Sequence, residues 1–376
     1  MPKEIYEVLD SLEQNGFKAY LIGGYVRDKI LKKESLDIDI TTNARVKDMV
    51  NIFNKYDVKI FDYGNISFIK DKYKIEITTF RKDISYEDNR RPDKITYVDT
   101  LEEDLSRRDF TINAIAMDKN ENIIDLYDGI KDLKRKKIKT IRPALEEIKE
   151  DSLRILRAIR FATILDFKIE NDLKEAIINN KELLNNLSFE RKKEELNKIF
   201  VSKNKRKGIK LLKEYNLLEV LNLKNIDNVL KTNYVLGMWA TIMEKEYPFT
   251  KNDKELINDI NNLLQEDIND ELVLYKYGLY PINVVCDLKK LNKKKIVKKY
   301  ENLPIKDKKE INITANEICK ILNKPTGSFL KTIYQDLEKS ILLNNLENDK
   351  NKIIEYIKYK YMWYNKYQKR GDINEL

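Results

Sequence analysis

Histidine is absent from this chain of 376 residues. Its absence excludes Ser-His-Asp and Cys-His catalysis, imidazole zinc sites, and the phosphohydrolases whose metal site needs a His-Asp pair. Any metal ion must then be bound by oxygen ligands, and such ligands favour Mg²⁺ or Mn²⁺.

Cysteine and long apolar runs are also scarce. The two cysteines, Cys286 and Cys319, lie far apart without CxxC spacing, so we predict buried, unreactive thiols and neither a disulfide framework nor a zinc knuckle. No stretch approaches the roughly 20 consecutive apolar residues that span a bilayer, and the start, MPKEIYEVLD, lacks the apolar core of a signal peptide. We therefore expect a cytoplasmic protein with no membrane partner.

Positive charge is abundant by contrast. The formal net charge is +9, and basic residues form runs at Lys134 to Lys137, Lys203 to Lys207 and Lys293 to Lys299. Such runs suit a polyanionic partner, although each is equally well explained as a solvated face.

Two kinds of pattern divide the chain. Residues 1 to about 130 mix helical and strand signals, whereas the chain beyond about 145 reads as successive amphipathic helices. We predict an α+β catalytic head followed by an elongated helical remainder. The junction is predicted in the lysine-rich stretch that ends at Pro143, because proline disfavours helix in the residue before it.

A glycine pair follows the first predicted strand, Ala19 to Ile22, and precedes a predicted helix. Gly23 and Gly24 would let backbone N–H groups approach a phosphate at the helix N-terminus, and Arg27 would add a charged fork. A tight turn with a surface arginine is the alternative.

The next strand carries two acids, Asp37 and Asp39. Alternation places both carboxylates on one face and Ile38 on the other. Two adjacent carboxylates repel each other unless a cation neutralises them, so the pattern predicts a divalent metal site. Glu76, in a further strand-like run, is a candidate third acid.

Four segments, taken together, resemble a known family: Gly23 to Asp28, Asp37 to Ile40, Arg107 to Ala116, and Glu150 to Ala162. In this order, over residues 20 to about 200, they are similar to class II CCA-adding tRNA nucleotidyltransferases. The segment FERKKEELNKIF resembles the motif that follows in that family.

The resemblance implies a polymerase-β-like nucleotidyltransferase head and an all-α neck, body and tail. We place these parts at residues 1–140, 141–202, 203–305 and 306–376, with the neck selecting the nucleotide and the tail binding tRNA. The implied partners are the 3′ end and acceptor stem of tRNA, CTP and ATP.

On matching positions the resemblance implies two Mg²⁺ ions, or Mn²⁺, on Asp37 and Asp39. The implied nucleotide-binding residues are Gly24, Arg27, Arg108, Asp151, Arg154, Arg157 and Arg160. Further possible site residues are Gly23, Glu76, Asp109, Asn113 and Glu150.

Asp151 and Arg154 are three residues apart, so on one helix they would be neighbours. A carboxylate accepts hydrogen bonds and a guanidinium donates them, which matches the amino group and ring nitrogen of cytosine and adenine. Guanine and uracil present the reverse polarity. The pair therefore predicts selection of C and A by the protein, while a salt-bridged amphipathic helix is the alternative.

The motifs barely separate enzymes that add CCA from those that add only CC, only A, or poly(A). The stretch Arg81 to Asp93 looks like the family's flexible loop, which CC-only members lack in part, and Asn65 to Ile69 resembles the CCA type. Addition of A alone stays open. A small-molecule nucleotidyltransferase and an RNA-binding protein with an inactive head are further alternatives.

Two C-terminal segments are candidate RNA contacts. Tyr356 to Tyr364 interleaves aromatic and basic side chains, as a stacking surface does, but a tail helix that buries its aromatics fits as well. Asn323 to Ser328 reads as a turn before a helix whose N-terminus could receive a backbone phosphate.

Overall fold

A computed structural model describes residues 1–85, 94–244 and 247–363. The chain divides into two compact units. The first comprises Met1–Lys224 with Glu244–Pro248, and the second comprises Asn225–Met243 with Phe249–Leu376. The predicted division into head, neck, body and tail is finer than these two units and stays a prediction. The predicted elongated shape of the helical remainder also stays a prediction.

The first half of unit one contains both helices and strands. Its elements are α1 (Lys3–Gln14), β1 (Ala19–Ile22), α2 (Gly23–Ile30), β2 (Asp37–Thr42), α3 (Val46–Ile52), β3 (Lys59–Phe61), β4 (Asn65–Lys70), β5 (Tyr73–Thr79), β6 (Arg81–Ser85), β7 (Lys94–Tyr97), α4 (Leu101–Ser106), β8 (Ile115–Met117), β9 (Ile123–Asp125) and α5 (Gly129–Arg135).

Its second half is helical apart from two short strands. These elements are β10 (Lys137–Ile138), α6 (Ala144–Glu150), α7 (Leu153–Leu165), β11 (Lys168–Ile169), α8 (Asn171–Asn179), α9 (Phe189–Phe200) and α10 (Lys205–Glu214), and β10 pairs in parallel with β11. The residues of α7 are buried on most sides because it packs against both α9 and α10.

Within the described ranges, seven strands form one sheet in the order β3-β4-β5-β2-β1-β8-β9. The central strand β2 runs antiparallel to β1 and parallel to β5, with Asp39 opposite Ile22 on one side and Glu76 on the other. Ile38 and Ile40 are buried, while Asp37 is exposed and Asp39 is partly exposed. The predicted alternation along β2 is confirmed, and it brings the acids to one face of the sheet.

Unit two is helical in every element that the structure describes. Its α-helices are α11 (Val235–Ile242), α12 (Lys251–Leu263), α13 (Glu271–Tyr277), α14 (Leu279–Lys289), α15 (Lys293–Glu301), α16 (Ala315–Leu322), α17 (Phe329–Leu342) and α18 (Lys350–Ile357), and a π-helical turn follows at Lys358–Trp363. Their apolar faces share one core, in which Leu274, Val285 and Leu337 are buried. The fold class, an α+β head followed by a helical remainder, is confirmed.

The glycine pair, the cysteines and the suggested flexible loop can each be compared with expectation. The helix after β1 begins at Gly23 itself, so the glycine pair forms its first turn. Cys286 is buried as predicted, but Cys319 is only partly buried. Of the suggested flexible loop, residues 86–93 lie outside the described residues. No helix in the described ranges is long and apolar enough to cross a membrane.

Candidate functional site

A cavity of about 750 Å³ lies in unit one, next to β2 and α7. The described residues that line it include eight arginines and four aspartates, an excess of four positive charges. The lining residues are Gly23, Gly24, Arg27, Asp39, Phe61, Asp62, Tyr63, Arg81, Arg107, Arg108, Asp109, Asn113, Asp151, Arg154, Arg157, Arg160, Phe161 and Arg191. Such an excess favours a polyanion, and a nucleoside triphosphate is one.

The turn from β1 into α2 brings backbone close to the acidic face of β2. Gly23 has a φ of +65°, and a Cβ built there would lie 3.3 Å from Oδ2 of Asp39 and 3.7 Å from Nη1 of Arg108. Glycine is therefore required for its left-handed conformation and for the close approach. The further expectation, that backbone N–H groups of this turn approach a phosphate, stays a prediction.

Arg27 lies one turn into α2 and is almost fully buried. Its Nη1 donates to Oδ1 of Asn113 at 2.8 Å, and its Nε donates to Asp28 at 2.9 Å. Asn113 in turn donates to Asp109 at 3.0 Å. The side chain is thus fixed before any ligand binds, and it is not the surface arginine of the alternative interpretation.

Asp109 links the head to α7. Its Oδ2 accepts from Nε of Arg157 at 2.7 Å, while its Oδ1 accepts from Asn113. Burial would raise the pKa of Asp109, but the Arg157 guanidinium and these hydrogen bonds hold it below its ordinary value. Asp109 is therefore a charged structural partner inside the cavity wall.

Three of the arginines surround one aromatic ring. The guanidinium carbons of Arg27, Arg157 and Arg160 lie 5.3, 5.5 and 4.2 Å from the centroid of Phe161. Contact with the face of a ring stabilises a cation without neutralising it. Each of the three arginines also forms an ion pair: Arg27 with Asp28, Arg157 with Asp109, and Arg160 with Glu195.

The carboxylates of β2 have the character of cation ligands. Burial raises the pKa of Asp39; Arg108 opposes this, and the nearby Glu76 and Asp37 add to it. A divalent cation would remove this penalty, and oxygen donors suit Mg²⁺ or Mn²⁺. Asp37 and Asp39 therefore fit a divalent metal site. No group of three or more acids, cysteines or histidines suited to a metal occurs among the described residues.

Glu76 stands beside the main cavity. It lines an adjoining cavity of about 420 Å³ together with Asp39 and Arg108, and its Oε1 accepts from Asn65 at 3.0 Å. Its role as a third acid stays a prediction.

The prediction that Asp151 and Arg154 are neighbours on one helix is wrong. Asp151 has φ −137° and ψ 102°, so it lies between α6 and α7, where its Oδ1 accepts from the N–H of Leu153, the first residue of α7, at 3.0 Å. Arg154 lies in the first turn of α7 and forms ion pairs with Glu147 and Glu150. The two side chains nevertheless line the same cavity.

Arg154 is also tied to the head. Its Nη2 donates to the backbone carbonyl of Arg107 at 3.0 Å, and Glu150 bonds to Arg142 as well as to Arg154. Glu150 does not line the cavity, and it contacts Arg154, which does.

Sequence reasoning left four charged lining residues unassigned, which are Asp62, Arg81, Arg107 and Arg191, and it also missed the buried Asp104, which contacts Arg107 and Arg108. Arg191, on α9, lines the cavity and offsets the burial that raises the pKa of Asp151. Asp104, on α4, is completely buried and accepts hydrogen bonds from Arg107 and Arg108. A signal for Arg191 was available, because it belongs to the motif-like segment FERKKEELNKIF.

The cavity thus unites most of the predicted residues. Of the fourteen predicted site residues, Asp37, Glu76 and Glu150 do not line it, and the other eleven do: Gly23, Gly24, Arg27, Asp39, Arg108, Asp109, Asn113, Asp151, Arg154, Arg157 and Arg160. Their individual roles stay predictions.

Three successive segments of the chain match models of known protein families. Residues 19–139 match the model described as the poly A polymerase head domain. Residues 166–228 match a probable RNA- and SrmB-binding site of polymerase A, and residues 245–357 match a putative domain 2 of tRNA nucleotidyltransferase. These matches define a nucleotidyltransferase of the poly A polymerase type.

The proteins most useful for assigning the family are CCA-adding enzymes that match nearly the whole chain. A CCA-adding enzyme from Staphylococcus haemolyticus is 33% identical over 93% of this chain and 96% of its own length. One from Lactococcus lactis is 34% identical over 95% and 98%. The crystal structure of the Bacillus stearothermophilus CCA-adding enzyme in complex with CTP superimposes with a TM-score of 0.80 at 26% identity, covering 99% of this chain and 100% of that one.

The chain therefore belongs to the CCA-adding enzymes. Proteins of this family use divalent metal ions.

Proposed function

We propose that this protein adds the 3′-terminal CCA to tRNA from CTP and ATP, without a nucleic-acid template. The observation that carries the proposal is the arginine-rich cavity, in which the Asp39 carboxylate, the Gly23 turn and the Asp151–Arg154 segment face one space. The family to which the chain belongs, and the relative crystallised with CTP, support the same activity.

The reaction is a nucleotidyl transfer. The 3′-hydroxyl of the RNA gives up its proton to water, its oxygen forms a bond to the α-phosphorus, the bond from that phosphorus to the bridging oxygen breaks, and pyrophosphate leaves. Two Mg²⁺ ions, held by Asp37 and Asp39, would acidify the 3′-hydroxyl and neutralise the leaving pyrophosphate. A histidine base is then unnecessary.

The arginines bind and orient the triphosphate. Arg27 and Arg108 approach the Gly23 turn, where backbone N–H groups at the start of α2 also favour phosphate oxygens. Because Arg27 is fixed by Asn113 and Asp28, little side-chain freedom is lost when the ligand binds.

The base is selected at the start of α7. Asp151 would accept from the exocyclic amino group of cytosine or adenine, and Arg154 would donate to the adjacent ring nitrogen. Burial raises the pKa of Asp151, and Arg191 and the hydrogen bond from the N–H of Leu153 partly offset this rise. For guanine or uracil both contacts fail, at about 1–3 kcal/mol for each buried group left unpaired.

The remaining parts of the proposal concern tRNA. We assign its binding to the helical body and tail, at residues 203–305 and 306–376, including the exposed Tyr359 after α18. The first residues of α17 follow the Asn323 to Ser328 turn and are available to a backbone phosphate. Because tRNA, CTP and ATP meet in the cytoplasm, we propose that the protein acts there.

A-only and CC-only addition are tested together with full CCA addition. Purified protein receives three tRNAs, ending before CCA, after C, and after CC, with CTP or ATP supplied singly. Full CCA addition predicts C incorporation on the first two and A incorporation on the third. Extension of the third tRNA alone would establish A-only addition. Extension of the first two tRNAs without the third would establish CC-only addition.

A further inference from the structure

Asp104 is a buried carboxylate that the proposed reaction does not use directly. It lies in the second half of the short helix α4 and has no exposed surface. A charge at such a position is costly unless several donors compensate for it. The groups that donate hydrogen bonds to Asp104 therefore indicate its role.

Both oxygens of Asp104 are occupied. Oδ1 accepts from Nη2 of Arg107 at 2.8 Å and from the backbone N–H of Arg81 at 3.3 Å. Oδ2 accepts from Oγ1 of Thr41 at 3.0 Å and from Nη2 of Arg108 at 3.3 Å. Burial would raise the pKa of Asp104, but Arg107 and Arg108 bring it below its ordinary value, so the group is a carboxylate.

These contacts join three parts of the cavity wall. Thr41 belongs to β2, two residues beyond Asp39, and Arg81 is the first residue of β6. Arg108 extends past Asp104 toward Gly23, where a Cβ would lie 3.7 Å from its Nη1. Its Nε is buried and has no hydrogen-bond partner among the described residues. One carboxylate thus holds two adjacent guanidinium groups that would otherwise repel each other.

We propose that Asp104 is a positioning residue, which sets Arg107 and Arg108 at the distance from β2 that the β- and γ-phosphates of the incoming nucleotide require. The single negative charge leaves a net positive charge on the pair, so the arginines remain able to bind an anion. The inference rests on the proposed function, because it assigns the anion as the triphosphate. It makes Asp104 important for phosphate binding and irrelevant to the choice of base.

The test uses inorganic pyrophosphate, a ligand without a base, and the full-length protein. Asp104→Asn removes the charge but keeps the side-chain volume. We expect its affinity for pyrophosphate to fall about tenfold, as loss of a charge-assisted contact does. The KM values for CTP and ATP should rise by the same factor, with their ratio unchanged and kcat affected less.

Two further variants separate positioning from folding. Thr41→Val removes a donor to Asp104 without changing charge, and we expect a smaller change in the same direction, which keeps the test valid even if Asp104→Asn does not fold. Asp132→Asn alters another buried acid of the head, which accepts from Thr111 at 2.8 Å and lies outside the cavity. It should lower the melting temperature and leave pyrophosphate affinity unchanged.

The inference is overturned if a folded Asp104→Asn protein binds pyrophosphate as wild type does, or if Asp132→Asn weakens pyrophosphate equally. It is also overturned if Thr41→Val leaves both pyrophosphate affinity and the KM values unaltered. Pyrophosphate binding is measured without tRNA, so its result does not depend on whether the wild-type protein extends tRNA. Failure of the wild-type protein to extend tRNA would contradict the proposed function alone.

Discussion

Gly23 leaves no room for a side chain at the turn where β1 enters α2. Its φ is +65°, and any Cβ would lie 3.3 Å from the carboxylate of Asp39. A non-glycine residue in this conformation costs about 1–2 kcal/mol. The added methyl group must also displace a carboxylate that we propose as a metal ligand.

Gly23→Ala is therefore expected to lower kcat at least tenfold, with a stability loss of about 1 kcal/mol. The matched control is Gly16→Ala, since Gly16 has a φ of +85° and a Cβ added there would meet nothing within 4 Å. It should lose comparable stability and keep its turnover. Steady-state kinetics and thermal unfolding measure both variants, and equal loss of activity in the two would contradict a special role for Gly23.

Residue roles differed in how far they could be predicted. Asp37 and Asp39 stand out because alternation along a strand is a local property. The break between α6 and α7 is also encoded locally, since an aspartate before an apolar periodic run is a helix-start signal. Asp104 was not readable, because it follows two glutamates at a helix start and its partner Thr41 is 63 residues away.

At the scale of elements, the cavity depends on how α7 is fastened to the head. Asp109 pairs with Arg157 of α7, and Arg154 bonds to the backbone of Arg107. The amphipathic patterns predicted α9 and α10 because their periodicity is local. The contacts across to the head are long-range and side-chain specific, so sequence patterns did not reveal them.

Asp109→Asn tests this fastening. We expect it to reduce the free energy of unfolding at pH 7 by about 2 kcal/mol, since a buried charged hydrogen bond is lost. The folded-state pKa of Asp109 lies below its ordinary value, so its contribution is fully present above the unfolded-state pKa of about 4 and disappears as pH falls through the folded value. The difference between wild type and variant should therefore shrink only in acid.

Denaturant unfolding across roughly pH 2.5 to 7 measures this difference. The control is Asp128→Asn, because the Asp128–Lys131 pair is exposed and should contribute little at any pH. A difference for Asp109→Asn that is independent of pH would show that the carboxylate charge does not stabilise the fold.

At the scale of the whole molecule, two units share one chain with a net charge of +9. The division into an α/β head and a helical remainder was predictable, because the change in periodicity extends over a hundred residues or more. The limits of neck, body and tail stay predictions, since successive helices share the same pattern and give no local signal of a boundary.

This charge predicts that tRNA binding is strongly salt-dependent. Each phosphate contact releases counterions, so the logarithm of the association constant should fall linearly with the logarithm of salt concentration. Filter binding at a series of salt concentrations gives the slope, and Tyr359→Ala should weaken tRNA binding without altering the slope, because stacking carries no charge. A slope near zero would remove the polyanion interpretation of the basic runs.

In the proposed function the protein itself chooses the base, through Asp151 and Arg154. The most direct measurement is kcat/KM for CTP, ATP, UTP and GTP on matched tRNA ends, for wild type and Asp151→Ala, with the exposed α8 residue Glu175 changed to alanine as control. We predict that Asp151→Ala lowers the preference for CTP over UTP, and for ATP over GTP, about tenfold or more, and lowers turnover less. Unchanged preference in Asp151→Ala would contradict the account.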